Sequence, residues 1–151
     1  MMDNPPTREA VFSALFALGQ TQLFNGAPFK TMSRKFQHFS KVDSANQPAL
    51  FQTEPREMIT QKTGLLSKMY WFAVWTVYFT SDPENATDIP AIRMNTFVDQ
   101  MFSVFPSNDP DQRQTLGGLV QHVFIDGDVL KIAGDDDGQG LIVIPVTILV
   151  P

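Results

Sequence analysis

Two stretches of the chain repeat apolar residues at the spacing of an α-helix. The first is preceded by Thr7, a residue type that caps helices, and followed by Gly19, so we predict a helix from Thr7 to about Leu18. The second follows Asp88, another capping residue, and carries Pro90 in its first turn, so we predict a helix from about Ile89 to Phe105. The apolar positions of the two repeats are Val11, Ala14, Leu15 and Leu18, then Ile89, Ile92, Phe97, Met101 and Phe105.

Between the two helices, β-branched and aromatic residues dominate a run from Leu65 to Phe79, which ends at a turn-forming Ser-Asp-Pro sequence. Both alternating sets of positions in this run are apolar, which is typical of a buried strand, so we predict a long strand near the centre of a sheet. Shorter strands are predicted from Ser33 to Ser40 and from Ala49 to Thr53. Residues 20–31 show no sustained period and are predicted to be irregular.

The C-terminal part of the chain reads as further strands. An Asp-Gly pair at Asp126 and Gly127 separates two runs, which predicts a hairpin with strands Leu119 to Ile125 and Asp128 to Ala133. Leu141 to Val150 is predicted to be a final apolar strand. Pro145 interrupts it, and because proline lacks a backbone donor, this position predicts a sheet edge or a bulge.

The predicted elements follow the order helix, strands, helix, hairpin, strand, which is not the regular alternation of a parallel α/β sheet. We therefore predict an α+β fold with a mainly antiparallel sheet and two main helices packed on one face. The 151 residues suit a single domain spanning 1–151. Residues 1–6, which end in Pro5 and Pro6, are predicted to form a flexible tail or arm.

Composition excludes several classes of function. The chain has no cysteine, which excludes disulfides, thiolate metal sites and cysteine nucleophiles. Acidic residues outnumber basic ones by 16 to 11, which argues against a nucleic-acid-binding surface. No apolar stretch reaches the roughly 20 residues of a membrane helix, and the N-terminus lacks a signal-peptide pattern, so we predict synthesis in a cytoplasm and no membrane partner.

Candidate chemistry is sparse. His38 and His122 have no carboxylate at a metal-ligand spacing, and Asp126 and Asp128 suit turn formation better than calcium binding. The glycines lack the pattern of a phosphate-binding loop. Trp71 and Trp75 have no basic groove beside them in sequence, so we interpret them as core residues and not as a base-stacking platform. We predict no catalytic, cofactor-binding or metal-binding residue, and no enzyme.

Several features, taken in order along the chain, together resemble a known family. They are an early helix with Arg8, the sequence Gln-Pro-Ala-Leu-Phe-Gln at 47–52, a long strand ending in Val77-Tyr78-Phe79, a second helix, Gln114 to His122 followed by the Ile125-Asp126-Gly127 turn, and the closing strand at 144–150. In this order the chain resembles the tail terminator, or tail completion, proteins of long-tailed bacteriophages. The likeness spans nearly the whole chain.

The resemblance implies a structural virion protein. A small α+β subunit of this family assembles as a ring, usually hexameric, at the head-proximal end of the tail tube. The ring stops tube growth and offers a surface to the head connector. The implied partners are further copies of the chain, the tail-tube protein and a connector or neck protein, and DNA passes through the ring without specific binding. The implied location is the head–tail junction of the virion, after assembly in the host cytoplasm.

Two clusters are candidate sites under this interpretation. An acidic lumen would repel DNA phosphates, which makes Asp135, Asp136 and Asp137 candidate lumen residues, although a solvated loop is the favoured interpretation. The basic cluster Arg34, Lys35 and Lys41 is a candidate interface with a neighbouring subunit or the tube. A solvated strand is the alternative, because exposed ion pairs contribute less than about 1 kcal/mol.

Other functions remain open from the sequence. A tail-tube subunit or another head–tail neck protein would also be a small ring-forming β-rich protein, but tube proteins form open stacks whereas a terminator stops at one ring. A small enzyme or ligand-binding module is the alternative from another class. It predicts a pocket below the strand that carries Trp71 and Trp75.

Overall fold

The computed structural model describes residues 6–60, 68–105, 113–134 and 137–150, with the side chain of Lys68 left out. The predicted flexible arm falls almost entirely outside these residues. Short 3-10 helices span Phe39–Lys41 and Ser44–Asn46. The other elements, in chain order, are α1 (Arg8–Gln20), β1 (Leu23–Phe24), β2 (Ala27–Pro28), β3 (Thr31–Ser33), β4 (Ala49–Thr60), β5 (Lys68–Thr80), α2 (Pro90–Val104), β6 (His122–Ile125), β7 (Leu130–Ile132) and β8 (Gln139–Val150).

The main sheet has the strand order β3-β4-β5-β8-β6, and β7 also pairs with β8. Only the short β3–β4 pair is parallel, and the other strand pairs of this sheet are antiparallel. Both helices pack against one face of the sheet, where their apolar residues join those of β5 and β8 in one core. The α+β prediction, the mainly antiparallel sheet and the central position of the long strand are confirmed.

The side chains on the helix side of β5 and β8 are almost completely buried, and we call this side of the sheet the covered face. Trp75 lies at its centre, with its indole against the backbone of Gly19 in α1 and its ring 5.4 Å from that of Phe105 after α2. The covered face consists of Trp71, Ala73, Trp75, Val77 and Phe79 from β5, and Ile142, Ile144, Val146, Ile148 and Val150 from β8.

The two helices differ in how their first turns are capped by side-chain hydrogen bonds. The Thr7 hydroxyl accepts a hydrogen bond from the Ala10 amide at 3.1 Å, so the predicted cap of the first helix is confirmed. The predicted cap of the second helix is wrong, because Ile89 occupies the N-cap position and makes no side-chain cap. The Asp88 carboxylate is already engaged, since it accepts from Arg93 Nη2 at 2.8 Å and from the Asp82 amide at 2.8 Å.

The region before β4 differs from the prediction. An Asn25-Gly26 turn, with φ of 53° and 81°, joins β1 to β2 in a small hairpin where irregular chain was expected. The hairpin places the Phe24 ring 5.1 Å from that of Phe79, within the core. The predicted strand from Ser33 to Ser40 is wrong, because the sheet pairing of this segment ends at Ser33.

β4 is much longer than the predicted Ala49 to Thr53. It continues to Thr60 along β5, and the register shifts between Thr53 and Arg56. Pro55 lies within this bulge, where a missing backbone donor costs no ladder hydrogen bond. The bulge therefore lets a proline-containing, charged segment extend the sheet.

β6 and β7 do not pair with each other, so the predicted hairpin is wrong. Both lie along the same edge of β8: β6 pairs with Val146 to Leu149, and β7 pairs with Leu141 to Val143. Pro145 lies between the two paired stretches, so β8 is an interior strand whose proline coincides with a gap between its neighbours. Among the described residues, no helix is long and apolar enough to cross a membrane.

Candidate interaction surface

The side of the sheet opposite the helices is also apolar, and we call it the open face. The register with β5 places Val74 beside Pro145 and Thr76 beside Val143 on this side. The side chains here are mostly half-buried, because strand neighbours shield one another but no described helix packs over them. The uncovered apolar residues of the open face include Met58, Tyr70, Phe72, Val74, Phe124, Leu130, Ile132, Leu141, Val143, Pro145 and Leu149.

β7 adds the most exposed side chains to this surface. Leu130 is 50% exposed and Ile132 is 47% exposed. They pair with Val143 and Leu141, so they share the open face, whereas Lys131 between them points to the other side. There the Lys131 ammonium donates to Asn95 Oδ1 of α2 at 3.0 Å. Because side chains alternate along β7, Leu130 and Ile132 lie on the open face while Lys131 lies on the side of α2.

The segment between β3 and β4 covers one end of the open face. The Tyr78 hydroxyl donates to the Gln37 carbonyl at 2.9 Å, and the Phe36 ring lies 6.1 Å from that of Phe51. Val42, Ala49, Phe51 and Tyr78 form a small buried cluster there, and burial raises the pKa of Tyr78. We call residues 34–42 the end segment.

An apolar cleft lies between the end segment and β7. It has a volume of about 170 Å³ and runs between Phe39 of the end segment and Ile132 of β7. Tyr78 and Leu141 form its floor, and Asp137 stands at its side. The cleft could accept an apolar side chain of a partner, but it is too small for most organic ligands.

The three basic candidate residues behave differently. Arg34 is bound within the chain, because its guanidinium donates to Glu9 Oε2 at 2.6 Å and also to the Glu54 carboxylate. These carboxylates raise the pKa of Arg34, and Arg34 in turn lowers the pKa of Glu9. Lys35 and Lys41 are exposed on the end segment and make no ion pair with the described residues. Only these two are available to a partner.

Sequence reasoning missed a further basic residue at the same surface. The Arg56 guanidinium carbon lies 4.2 Å from the centre of the Phe72 ring, at the β4 side of the open face. Arg56 is exposed, and it lies beyond Thr53, where the strand predicted from the sequence ends. Arg56 at the β4 side, together with Lys35 and Lys41 on the end segment, gives the open face a positive rim.

The acidic candidate loop is only partly described. Asp135 and Asp136 lie outside the described residues. Asp137 is exposed, and its Oδ1 accepts from the Gln139 amide at 2.9 Å, which is a local turn contact. Asp126 and Asp128 are exposed beside β6 and β7. In the described part of the chain, no group of three or more His, Asp or Glu side chains could hold a metal ion.

The histidines make structural contacts. His38 Nδ1 lies 3.0 Å from the Ser40 hydroxyl at the start of a 3-10 turn. His122 Nδ1 accepts from the Gln114 amide at 3.3 Å, and its ring stacks on Phe124 at 5.2 Å. Burial is the main cause that lowers the pKa of His122.

The two tryptophans are buried, as predicted, so neither can serve as a stacking platform. Trp75 Nε1 donates to Gln52 Oε1 at 2.9 Å, and Gln52 Nε2 donates to the Phe12 carbonyl of α1 at 2.9 Å. This relay fixes α1 on the sheet. Side chains occupy the space below Trp75 in which the ligand-binding alternative placed a pocket.

The outward side of α2 is a second exposed apolar patch. Ile92 is 59% exposed and Phe102 is 47% exposed. Asp99 lies between them on the same side of the helix and is also exposed. We call Ile92, Asp99 and Phe102 the α2 patch. Because α2 packs on the covered face, its patch and the open face lie on opposite sides of the molecule.

Neither protein-family models nor curated protein sequences match this chain.

Proposed function

We propose that this protein is a structural subunit of a phage tail, a tail terminator that assembles into a ring. The observation that carries the proposal is the open face. An apolar sheet face over which no described helix packs is typical of a surface that another protein covers. A subunit of a permanent assembly has that surface, because its neighbours complete the core that one chain leaves open.

The arrangement of the resembling segments supports the proposal. The Gln47–Gln52 sequence leads into β4 beside the central strand, and its Gln52 joins α1 to Trp75. The Val77-Tyr78-Phe79 sequence ends β5, and the 144–150 sequence forms most of β8 beside it. These three segments of the resemblance therefore lie together in the sheet. One of them contains Gln52, which links Trp75 to α1 by hydrogen bonds.

In the proposed assembly, copies of the chain form a closed, hexameric ring at the head-proximal end of the tail tube. The tube protein binds one side of the ring, and a connector or neck protein binds the other. DNA passes through the channel without specific contacts, which agrees with the acidic balance of the chain. Asp137 is a candidate for the channel wall because it is exposed and makes only a local contact.

A tail-tube or neck subunit is the second candidate. The observation that favours it is the same one, because surfaces on opposite sides of a subunit can generate either a closed ring or an open stack. The number of copies that assemble separates these functions. A terminator forms a single ring, whereas a tube protein continues to grow.

The test is the mass of the purified protein across a range of concentrations, by light scattering and negative-stain imaging, with and without preformed tail tubes. We expect single rings of one size, or rings at tube ends only. Extended tubes of this chain alone would replace the terminator with a tube subunit. A monomer at every concentration that is indifferent to tubes would contradict both.

A further inference from the structure

Two exposed apolar surfaces face in opposite directions on this chain, and they are suited to each other. The open face is a sheet surface, and the α2 patch is a helix surface. The same chain already shows how such surfaces combine, since α2 buries its other side on the covered face through Met94, Phe97 and Met101. A helix with apolar residues on both sides can pack between two sheets.

We infer that the α2 patch of one copy docks on the open face of the next copy. This inference rests on the proposed ring and specifies the contact that builds it. The contact is heterologous, because it joins two different surfaces, so each copy gives its helix to one neighbour and its sheet to the other. Such contacts propagate around a closed ring without leaving either surface bare.

Size and shape agree with this contact. The 15 residues of α2 span about 22 Å at 1.5 Å per residue. β5 and β8 pair over twelve successive residue pairs, which gives a sheet about 40 Å long at 3.3 Å per residue. The end segment covers only one end of it, so the uncovered length accommodates the helix.

Charge orients the contact. The α2 patch contains Asp99, and the loop before α2 adds the exposed Asp82 and Glu84. Arg93, the only basic residue of α2, is already paired with Asp88. The helix side that would enter the contact is therefore acidic.

The open face has a matching polarity. In its positive rim, Arg56 lies over Phe72 at the β4 side, and Lys35 and Lys41 lie on the end segment. Asp126, Asp128 and Asp137 lie at the opposite side, near β6 and β7. Opposite charges attract and like charges repel at such rims, so the acidic helix surface is directed towards Arg56 at the β4 side. Two open faces that meet about a twofold axis along the strands would also match opposite charges, so the crosslinking of Val74→Cys with itself is the outcome that distinguishes that arrangement.

The absence of cysteine gives a clean crosslinking test. Val74→Cys places one thiol on the open face, and Ile92→Cys places one on the α2 patch. Each variant is purified and its thermal unfolding is compared with the unmodified chain. The two are mixed, oxidised mildly and analysed on non-reducing gels. We expect a disulfide-linked dimer in the mixture at several times the yield from either variant alone.

The control is Ala17→Cys, on the exposed side of α1 and away from both surfaces. Mixed with Val74→Cys, it should give only background crosslinking. The double variant Val74→Cys with Ile92→Cys should give a ladder that stops at the number of subunits in the ring. Equal crosslinking to Ala17→Cys, or dominant crosslinking of Val74→Cys with itself, would overturn the inference.

A charge exchange tests the orientation without thiols. Asp99→Arg should raise the protein concentration needed for assembly at least tenfold. Adding Arg56→Asp to the same chain should restore most of the lost assembly. The outcomes also separate the two proposals. Rings that form without the Val74–Ile92 crosslink would keep the ring and reject this contact. A protein that stays monomeric in every variant, and in the unmodified chain, would reject both.

Discussion

The covered face and the open face are formed by alternate residues of the same strands. Val77 and Val74 lie three residues apart in β5, yet Val77 is fully buried below the helices and Val74 is only half-buried. Both faces are apolar, so hydrophobicity does not distinguish them. The difference is that, in the described part of the chain, both helices pack on one face. Stability of the single chain should therefore depend on the covered face, and assembly on the open face.

Trp75→Ala should give the largest loss of stability. The side chain is fully buried among α1, α2 and the sheet, and its removal leaves a cavity where the two helices meet. We expect the free energy of unfolding to fall by about 3 to 5 kcal/mol, with loss of soluble protein if the chain is marginally stable. Chemical denaturation followed by circular dichroism measures the change. Stability like that of the unmodified chain would refute the filled core.

Gln52→Leu should come next, because it breaks the relay between Trp75 and α1. The indole N–H and the Phe12 carbonyl would both remain buried without their partner, at a cost of about 2 to 3 kcal/mol. The control is the same change in a Trp75→Phe background, where no indole donor remains. Gln52→Leu should cost measurably less there, and equal costs in both backgrounds would show that the hydrogen bond from the Trp75 indole to Gln52 contributes nothing.

The elements that sequence reasoning identified are those whose signals are local. Thr7 caps α1 through its own hydroxyl, and the apolar run of β5 is central in the sheet because both of its sides are apolar. The same run could not tell a face covered by helices from one left bare. That distinction depends on where α1 and α2 pack, which the periodicity of β5 does not encode.

The errors arose where distant partners compete. An Asp-Gly pair at 126–127 predicted a hairpin, but β8 offers a long edge on which β6 and β7 pair separately. The Asn25-Gly26 pair does form a hairpin. Asp88 was predicted as a cap, but Arg93 and the Asp82 amide take its carboxylate. Arg34 was a candidate interface residue on the strength of its charge alone, and its ion pairs with Glu9 and Glu54 depend on distant parts of the chain.

The same substitution on the two faces gives a direct comparison. Val77→Thr buries a hydroxyl in the covered face and should cost about 1 to 2 kcal/mol. Val74→Thr, on the open face of the same strand, should change the stability of the single chain by less than about 0.5 kcal/mol. Both are measured at concentrations where the protein is monomeric. At higher concentrations, where the protein assembles, the two substitutions should rank in the opposite order. Val74→Thr should weaken assembly more than Val77→Thr does.

The smallest expected effect concerns acid and the attachment of α1. Arg8 donates to Glu57 of β4 at 2.6 Å, and Arg34 joins Glu9 of α1 to Glu54, so α1 is held to β4 by ion pairs at the margin of the covered face. Hydrogen bonds from the two arginines lower the pKa of Glu57 and of Glu9 from the ordinary value of 4.5. A lowered carboxyl pKa stabilises the fold above that ordinary value, and the stabilisation is lost as the pH falls through the folded-state value.

Glu57→Gln should therefore reduce stability slightly at neutral pH and flatten the loss of stability below about pH 4.5. The matched control is Glu84→Gln, since Glu84 is exposed and makes no ion pair with the described residues. Hydrogen exchange locates the effect: after correction for the slower intrinsic exchange in acid, protection should fall in α1 before it falls in β5 and β8. Simultaneous loosening of α1 and the central strands would show that these ion pairs do not hold the helix separately, and that the covered face opens as one unit.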